Sequence, residues 1–191
     1  KFSVIRFGNF WNSSGSFIEY LFSLGQNKQH TINITDFRMT RFFLTLQQAA
    51  EHIIYALKTM RGQEIFSPKM MSRKIVTITK SMHPNAILNE TGIRPGEKLH
   101  EDLIVKAHAR QTYETDRWFI TYPHDCTVEC IGKQCDENFE YNSLTALYSN
   151  KDNEILNSAE FLNYKLGFLE ANPNANDEKI LLNFKKTFNE K

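Results

Sequence analysis

Apolar and polar residues alternate along the chain in a way that predicts short strands separated by amphipathic helices. Lys1–Phe7 is rich in β-branched and aromatic residues and predicts a buried strand, which Gly8 and Asn9 end. Shorter runs of similar composition predict further strands at Thr31–Ile34, Glu64–Phe66, Ala86–Asn89 and Arg117–Tyr122. Strands that alternate with helices are typical of an α/β fold.

Two predicted helices follow from apolar residues that recur every three or four positions. The first begins after a polar turn in which Ser14 or Ser16 is the N-cap, and it ends at Gly25. The other covers Lys74–Met82 and directs its isoleucines inward. Each helix follows a predicted strand closely, as the α/β order requires.

The clearest helix signal is a capping box, in which Thr45 is the N-cap and Gln48 occupies the third helical position. We expect this helix to end near Arg61-Gly62. Its apolar residues form one stripe, which we expect to be buried, namely Leu46, Ala49, Ala50, Ile53, Ile54 and Leu57. His52 on the same helix is interpreted as a packing or solvated residue.

The stretch Gly92–Glu101 contains the main candidate residues for a ligand site. Its two glycines permit a tight bend, and Pro95 suits the first turn of a helix. We expect that helix to continue through the apolar residues Leu99, Leu103 and Ile104. The stretch therefore predicts a turn followed by a helix N-terminus.

Two charged side chains in this stretch suggest a ligand. Arg94 precedes the predicted helix N-terminus, where anions bind, and arginine can pair with two phosphate oxygens at once. Glu97 could accept hydrogen bonds from sugar hydroxyls. The spacing alone fits equally well an ordinary helix start with a solvated Arg–Glu pair.

Two polar positions elsewhere are further candidates. Asn9 follows a predicted strand, where ligands of open α/β sheets bind, although a plain turn is as good an interpretation. Arg41 could bind a phosphate. The alternative for this segment is an ion pair of Asp36 with Arg38 or Arg41, which contributes less than about 1 kcal/mol if it is exposed.

Composition narrows the class of protein. The 191 residues are 41% hydrophobic with a net charge of +1, which favours a soluble globular chain and disfavours a general nucleic-acid binder. No apolar run approaches membrane-spanning length, and no signal pattern is visible at the N-terminus. The expected location is the cytoplasm. Because the chain opens inside a predicted strand, we expect it to be part of something longer.

Three cysteines, an odd number, argue against a disulfide framework. Cys126, Cys130 and Cys135 have the spacing C-x3-C-x4-C, and His124 lies close by. Structural zinc sites usually have paired C-x2-4-C arms that lie far apart in the sequence. The spacing therefore favours thiols over a metal site.

The last third of the chain is less regular. Asp136–Asn153 is polar and predicts mostly loop. A short helix is predicted within Asn157–Gly167, and Glu170–Asp177 is typical of a linker. The final predicted helix is amphipathic and would dock on the body or on another subunit through Ile180, Leu181, Phe184 and Phe188.

Several of these stretches resemble the UDP-N-acetylglucosamine 4,6-dehydratases of the extended short-chain dehydrogenase/reductase superfamily, which include inverting enzymes of flagellin glycan synthesis and related capsule proteins. Gly92–Glu101 resembles the family's G-I-R-P-G-E-K-L-H-E at every position. The other stretches are Val4–Asn9, Ile34–Phe42 and Gly62–Lys69. The resemblance covers residues 1–125 well and continues more weakly to about 167.

The resemblance implies roles for five residues. Arg41 and Arg94 would neutralise the diphosphate of a UDP-sugar, and Glu97 would hold a ribose hydroxyl. Asn9 would face the sugar or the diphosphate, and Thr35 would lie in the same wall. The expected partner is thus a UDP-sugar, and a homo-oligomer or a separate NAD(P)-binding half is also expected.

The family's catalytic machinery is not found in this sequence. The family uses NADP, held by a Gly-rich loop, with a Tyr or Met before a Lys and an Asp-Lys pair for hydride and proton transfer. The sequence contains no G-x-x-G-x-x-G loop and no Tyr-x-x-x-Lys, because Tyr55 and Lys58 are three positions apart where four are needed. Asn12–Ser16 also departs from the family's Gly-Ser-Arg-Gly-Ser. NADP is therefore not expected to bind this chain alone, and no catalytic residue is assigned.

The expected fold is the C-terminal part of an extended short-chain dehydrogenase/reductase: a partial Rossmann sheet plus a small α/β substrate-binding subdomain, without the N-terminal NAD(P)-binding half. Residues 1–125 would be the UDP-sugar-binding portion, 126–169 an extension of it, and 170–191 a linker and terminal helix. The expected function is nucleotide-sugar binding within a 4,6-dehydratase that makes a UDP-4-keto-6-deoxy sugar. The alternatives are an inactive UDP-sugar-binding module and a truncated gene remnant.

Overall fold

A computed structural model of the chain describes residues 1–11, 13–24, 31–127 and 129–149. The chain forms two compact units, which are considered separately. The first comprises Lys1–Trp11, Thr40–Ser72 and His100–Ser149, and the second is built from the described residues of Asn12–Met39 and from Arg73–Leu99. The elements in chain order are β1 Val4–Ile5, β2 Asn9–Phe10, α1 Phe17–Ser23, β3 Thr31–Ile34, β4 Thr40–Leu44, α2 Leu46–Thr59, β5 Ile65–Pro68, β6 Met71–Lys74, α3 Ile75–Met82, β7 Ile87–Glu90, β8 Asp102–Ile104, a 3-10 helix Lys106–Gln111, β9 Thr112–Glu114, β10 Trp118–Thr121, β11 Lys133–Gln134, β12 Tyr141–Asn142 and α4 Ser143–Ser149.

The first unit is built on a five-stranded sheet in the order β1-β5-β10-β9-β11. β1 runs parallel to β5, and the other neighbours are antiparallel. Alternate side chains of β10 enter different apolar clusters: Trp118 and Ile120 join Phe66, whereas Phe119 joins Phe42. Because side chains alternate between the faces of a strand, apolar residues cover both faces of this sheet.

The predicted first strand is shorter and less buried than its composition indicates. Of Lys1–Phe7, only Val4 and Ile5 form a strand, and β1 lies at the edge of the sheet. Phe2 is 89% exposed and Val4 is 55% exposed. The prediction of a buried strand was therefore wrong, because β-branched composition reports strand tendency and not the number of neighbours.

Helix α2 confirms its capping box and contradicts its predicted buried face. The Thr45 hydroxyl accepts a hydrogen bond from the Gln48 N–H at 3.1 Å, and the Gln48 side chain accepts one from the Thr45 N–H at 2.8 Å. The buried residues are Ala49, His52 and Ala56. The rest of the predicted stripe is exposed, with Leu46 at 65% and Leu57 at 62%, together with Ala50, Ile53 and Ile54.

The reversal on α2 has a steric reason. Ala49 and Ala56 are small, so the helix axis can lie close to the apolar clusters that these alanines enter. A period of 3.6 residues fits this small-residue face as well as it fits the leucine–isoleucine stripe. Periodicity alone therefore does not distinguish the two faces, and the structure turns the alanine face inward.

The second unit contains α1, α3 and a two-stranded parallel sheet formed by β3 and β7. Ser16 is the N-cap of α1 and accepts a hydrogen bond from the Glu19 N–H at 3.1 Å, which confirms one of the two predicted caps. The imidazole of His83, which follows α3, lies 2.7 Å from the Leu21 carbonyl oxygen of α1. The predicted end of α1 at Gly25 lies outside the described residues.

Of the other predicted elements, some are confirmed, one is wrong and some lie outside the described residues. The strand and helix assignments behind β5, β7, β10 and α3 are confirmed, with bounds shifted by a residue or two. The described part of the stretch predicted as mostly loop, residues 136–149, contains β12 and α4, so more than half of it is regular structure. The elements predicted beyond residue 149 lie outside the described residues, and the domain limits at 125 and 169 stay predictions. No helix in the described part of the chain is long and apolar enough to cross a membrane.

Candidate functional site

The stretch Gly92–Glu101 forms a turn where a helix was predicted. The turn comprises residues 94–97. It is closed by a hydrogen bond in which the Glu97 N–H donates to the Arg94 carbonyl oxygen at 3.0 Å. Pro95 occupies the second position, and Gly96 has a φ of 81°. Pro followed by a residue of positive φ is the pattern of a type II turn, and that φ cannot continue a right-handed helix. The helix-terminus argument for anion binding at Arg94 is therefore wrong.

This turn lies at the carboxyl ends of two parallel strands of the second unit. Ile34, the last residue of β3, pairs with Glu90, the last residue of β7. The Thr91 N–H then donates to the Ile34 carbonyl oxygen at 3.0 Å, which extends the pairing by one residue. The segments after β3 and β7, which include Thr35 and the turn, therefore emerge side by side. Such strand ends are where ligands bind in open α/β sheets.

Three of the predicted site residues meet here. The Thr35 hydroxyl donates to one Glu97 carboxylate oxygen at 3.4 Å, and the Arg94 N–H donates to the other at 3.4 Å. Both bonds are at the long end of the range, so they orient the carboxylate without holding it firmly. Arg94 is exposed and Glu97 is half-buried. The Arg94 guanidinium and the Glu97 carboxylate thus belong to one turn at the carboxyl ends of β3 and β7.

The segment after Thr35 is fixed by acidic side chains. Asp36 binds the Arg38 guanidinium through both oxygens, at 3.0 and 2.7 Å, which confirms one of the two ion pairs considered from the sequence. This hydrogen bond, together with the charge of Asp36, raises the pKa of Arg38. The Glu90 carboxylate accepts a hydrogen bond from the Phe37 N–H at 2.8 Å. These contacts define the chain path that follows Thr35.

Arg41 belongs to the first unit and has a different environment. It lies in β4 and is only 7% exposed. Its Nε atom is 3.3 Å from the Glu101 carboxylate, and its Nη1 atom donates to the Thr40 carbonyl oxygen at 2.7 Å. The guanidinium is therefore oriented by two oxygen acceptors of its own unit.

A buried hydrogen-bond network supports that pair and was not predicted from the sequence. The Thr40 hydroxyl lies 2.7 Å from His100 Nδ1 and 2.7 Å from the Ser143 hydroxyl. The Glu101 N–H donates to the same Ser143 hydroxyl at 2.9 Å. The only signal for this network in the sequence was His100-Glu101, which ends the stretch Gly92–Glu101. Ser143, which lies in a stretch predicted as loop, gave none.

Asn9 lies on β2, beside the strand that carries Arg41. β2 runs parallel to β4, and Asn9 pairs with Phe43. Because Arg41 is two residues before Phe43, it shares the face of the sheet on which Asn9 lies. Asn9 is exposed. The structure thus groups the five predicted residues as two sets, one in each unit.

A pocket of about 250 Å³ in the first unit contains none of those five residues. Its wall includes His52 of α2, whose ring meets the edge of Trp118 at 4.5 Å between centroids. Burial lowers the pKa of His52, and the charge of Arg117 lowers it further. The interpretation of His52 as a packing residue is confirmed. The pocket is lined by Glu51, His52, Tyr55, Thr115, Asp116, Arg117 and Trp118.

The chain is similar to known proteins over much of its length. The model of a family described as polysaccharide biosynthesis protein matches residues 1–123. A UDP-N-acetylglucosamine 4,6-dehydratase (inverting) of Campylobacter jejuni is 31% identical over 88% of this chain and 53% of its own length. The probable polysaccharide biosynthesis protein EpsC of Bacillus subtilis is 37% identical over 59% of this chain and 20% of its own.

A solved structure is similar as well. The X-ray structure of Pen from Bacillus thuringiensis superposes with a TM-score of 0.69 and 29% identity, covering 86% of this chain and 50% of that one. The chain therefore spans about half the length of the proteins that it matches over most of its own residues.

Proposed function

The chain belongs to the family of polysaccharide biosynthesis proteins, and on this premise we propose that it binds the UDP portion of a nucleotide sugar. The resemblance of its motifs to UDP-N-acetylglucosamine 4,6-dehydratases is confirmed by the identity over 88% of the chain. The predicted α/β fold of the extended short-chain dehydrogenase/reductase type is confirmed too. The ligand and its contacts are our proposal.

One observation carries the proposal: the turn from Arg94 to Glu97 lies beside Thr35 at the carboxyl ends of β3 and β7. An exposed guanidinium can pair with two oxygens of a diphosphate. The Glu97 carboxylate is half-buried at the same strand ends, and its oxygens are acceptors of the kind that bind ribose hydroxyls. Charge and hydrogen-bonding capacity therefore match the two polar parts of UDP.

The resemblance assigns Asn9 and Arg41 of the first unit to the same class of ligand. Arg41 is pre-oriented by Glu101, which would reduce the entropy lost when a phosphate binds. Asn9 is exposed and carries both a donor and an acceptor. These two assignments rest on the family resemblance and do not depend on the turn.

The sugar and the reaction are proposals that concern the longer protein. One relative is named as a UDP-N-acetylglucosamine 4,6-dehydratase (inverting), so UDP-N-acetylglucosamine is the first sugar nucleotide to test. The family's cofactor, NADP, needs glycines that let a backbone approach its pyrophosphate. Here a Cβ atom on Gly8, which follows β1, would collide with Phe42, so that glycine serves chain packing. Gly8 is therefore explained by packing against Phe42 and is not assigned to a dinucleotide cradle.

Isothermal titration calorimetry tests the proposal directly. UDP and UDP-N-acetylglucosamine should bind, and uridine, which lacks the diphosphate, should bind at least about tenfold more weakly, a loss of about 1.4 kcal/mol. The Arg94→Ala variant should lose affinity for UDP by a similar factor. Equal binding of UDP by the variant and the wild type would contradict the assignment of the turn.

A further inference from the structure

Two of the three cysteines converge in the first unit. Cys126 and Cys130 follow β10, are half-buried, and both pack against the apolar cluster that contains Phe66, Trp118 and Tyr122. The Cys130 thiol donates a hydrogen bond to the Cys126 sulfur. The two thiols therefore pack against the same cluster and lie close enough to interact with each other.

The loop that carries them is anchored on both sides. The Cys126 N–H donates to the Pro123 carbonyl oxygen at 3.1 Å, and the Ile131 N–H donates to the Tyr122 hydroxyl at 2.9 Å. Between the two cysteines, the Arg61 side chain donates to the Glu129 carbonyl oxygen at 2.9 Å. The approach of the thiols is thus held by contacts to α2, β10 and their flanking segments, and not only by their nearness in the sequence.

A tyrosine completes the arrangement. The Tyr113 hydroxyl of β9 donates a hydrogen bond to the Cys130 sulfur, which stabilises the thiolate form. Burial nevertheless keeps the pKa of Cys130 above its usual value. Because the thiolate is the attacking species, exchange at neutral pH should be slow, on the scale of minutes to hours.

The third cysteine is a natural contrast. Cys135 packs against the other apolar cluster, which contains Phe119 and Tyr141. Burial, and then the nearby charge of Glu114, raise its pKa to about 11. Cys135 should therefore be the least reactive thiol of the chain and can serve as an internal control.

We propose that Cys126 and Cys130 form a reversible redox pair, which becomes an intramolecular disulfide by exchange with a small-molecule disulfide such as oxidised glutathione. One protein thiolate attacks the small disulfide, which breaks its S–S bond and releases one thiol. The second protein thiolate then attacks the mixed disulfide and releases the other thiol. The protein loses two protons and two electrons, and the small disulfide gains them.

Metal binding is the competing use of such a pair. Among the described residues, no group of three or more His, Cys, Asp or Glu side chains is arranged to hold a metal ion. Structural zinc sites need four ligands, and the two thiols supply only half of them. Disulfide exchange requires only the two sulfur atoms that the structure brings together.

The test incubates the full chain with oxidised glutathione, alkylates the remaining thiols and determines the intact mass and the peptide map. Two of the three thiols should become resistant to alkylation, with a loss in mass of two hydrogen atoms and a peptide crosslinked between Cys126 and Cys130. Dithiothreitol should restore all three thiols. The Cys135→Ser variant should behave in the same way.

Two further results decide the proposal. The Cys130→Ser variant should stop at the mixed stage and retain one glutathione, because the second attacking sulfur is missing. Three alkylatable thiols after incubation of the wild type, a glutathione adduct that never resolves, or a crosslink through Cys135 would each overturn the proposal.

Discussion

Charged side chains are used differently in the two units. In the first, Glu64 and Arg41 are buried and each is surrounded by hydrogen-bond partners. In the second, Arg94 is exposed, and the hydrogen bonds that reach the Glu97 carboxylate from Thr35 and the Arg94 N–H are long. A buried charge with short hydrogen bonds is part of the framework, whereas an exposed guanidinium is accessible to a ligand.

This contrast separates stability from binding among residues that look alike in the sequence. Arg41 and Arg94 were both assigned to a diphosphate, yet only Arg41 is enclosed by its own unit. Removing a buried charged group leaves its partner unsatisfied and costs stability. Removing an exposed charged group changes the free energy of unfolding little.

Glu64→Gln should have the largest effect. The Glu64 carboxylate accepts hydrogen bonds from Ser3 at 2.7 Å, the Arg61 N–H at 2.6 Å and the Gly62 N–H at 2.7 Å. A glutamine would point an amide donor at one of these donors and remove the charge from the others. We expect the free energy of unfolding, measured by urea denaturation at pH 7, to fall by about 3 kcal/mol.

The pH dependence of that loss provides its control. Burial raises the pKa of Glu64, but the hydrogen bonds from Ser3, Arg61 and Gly62 outweigh it, and the net shift is downward. The stabilisation is therefore complete above the unfolded-state pKa of about 4.3 and disappears as the pH falls through the lower folded-state value. The difference between wild type and Glu64→Gln should shrink below about pH 4. A difference that stays constant into acid would refute the role of the charge.

Arg41→Met should have the next largest effect. The change removes the contact with Glu101 and the hydrogen bond to the Thr40 carbonyl oxygen while keeping much of the side-chain volume. We expect the free energy of unfolding to fall by about 2 kcal/mol, since Glu101 is partly exposed and can be solvated. Arg110→Met, which breaks the exposed pair with Glu137 in the same unit, should cost less than about 1 kcal/mol. Equal losses for the two variants would remove the distinction between buried and exposed arginines.

Arg94→Ala should have the smallest effect on stability. Its side chain is exposed, and the turn depends on the backbone of Arg94 and on Pro95 and Gly96. We expect thermal unfolding to indicate a change within about 0.5 kcal/mol of the wild type. A loss comparable to that of Arg41→Met would mean that Arg94 belongs to the framework and not to a ligand site.

Local signals in the sequence predicted the elements whose determinants are local. The capping box of α2 and the cap of α1 depend on residues three positions apart, and both are present. The type II turn was also encoded locally, by Pro95 and Gly96. It was missed because a proline at the start of a helix and a proline in a turn have the same φ, and the positive φ of Gly96 decides between them.

Tertiary neighbours account for what the sequence could not reveal. The outward stripe of α2 and the exposed edge strand β1 depend on which surfaces the rest of the chain covers. The acidic partner of Arg41 is distant in sequence, since Glu101 and the Ser143 hydroxyl that accepts from the Glu101 N–H come from later segments. The five candidate site residues came from a family resemblance. Physical reasoning from spacing reached Arg94, Glu97, Arg41 and Asn9 only as one of several interpretations.

The central claim is that the turn at Arg94 binds the diphosphate of a nucleotide sugar. The most direct measurement is a calorimetric titration of UDP into the wild type, Arg94→Ala and Arg110→Ala, which removes an exposed arginine of the first unit and changes the net charge equally. We expect UDP affinity to fall at least about tenfold in Arg94→Ala and to be retained in Arg110→Ala. Equal affinity in all three proteins, or equal loss in both variants, would contradict the claim.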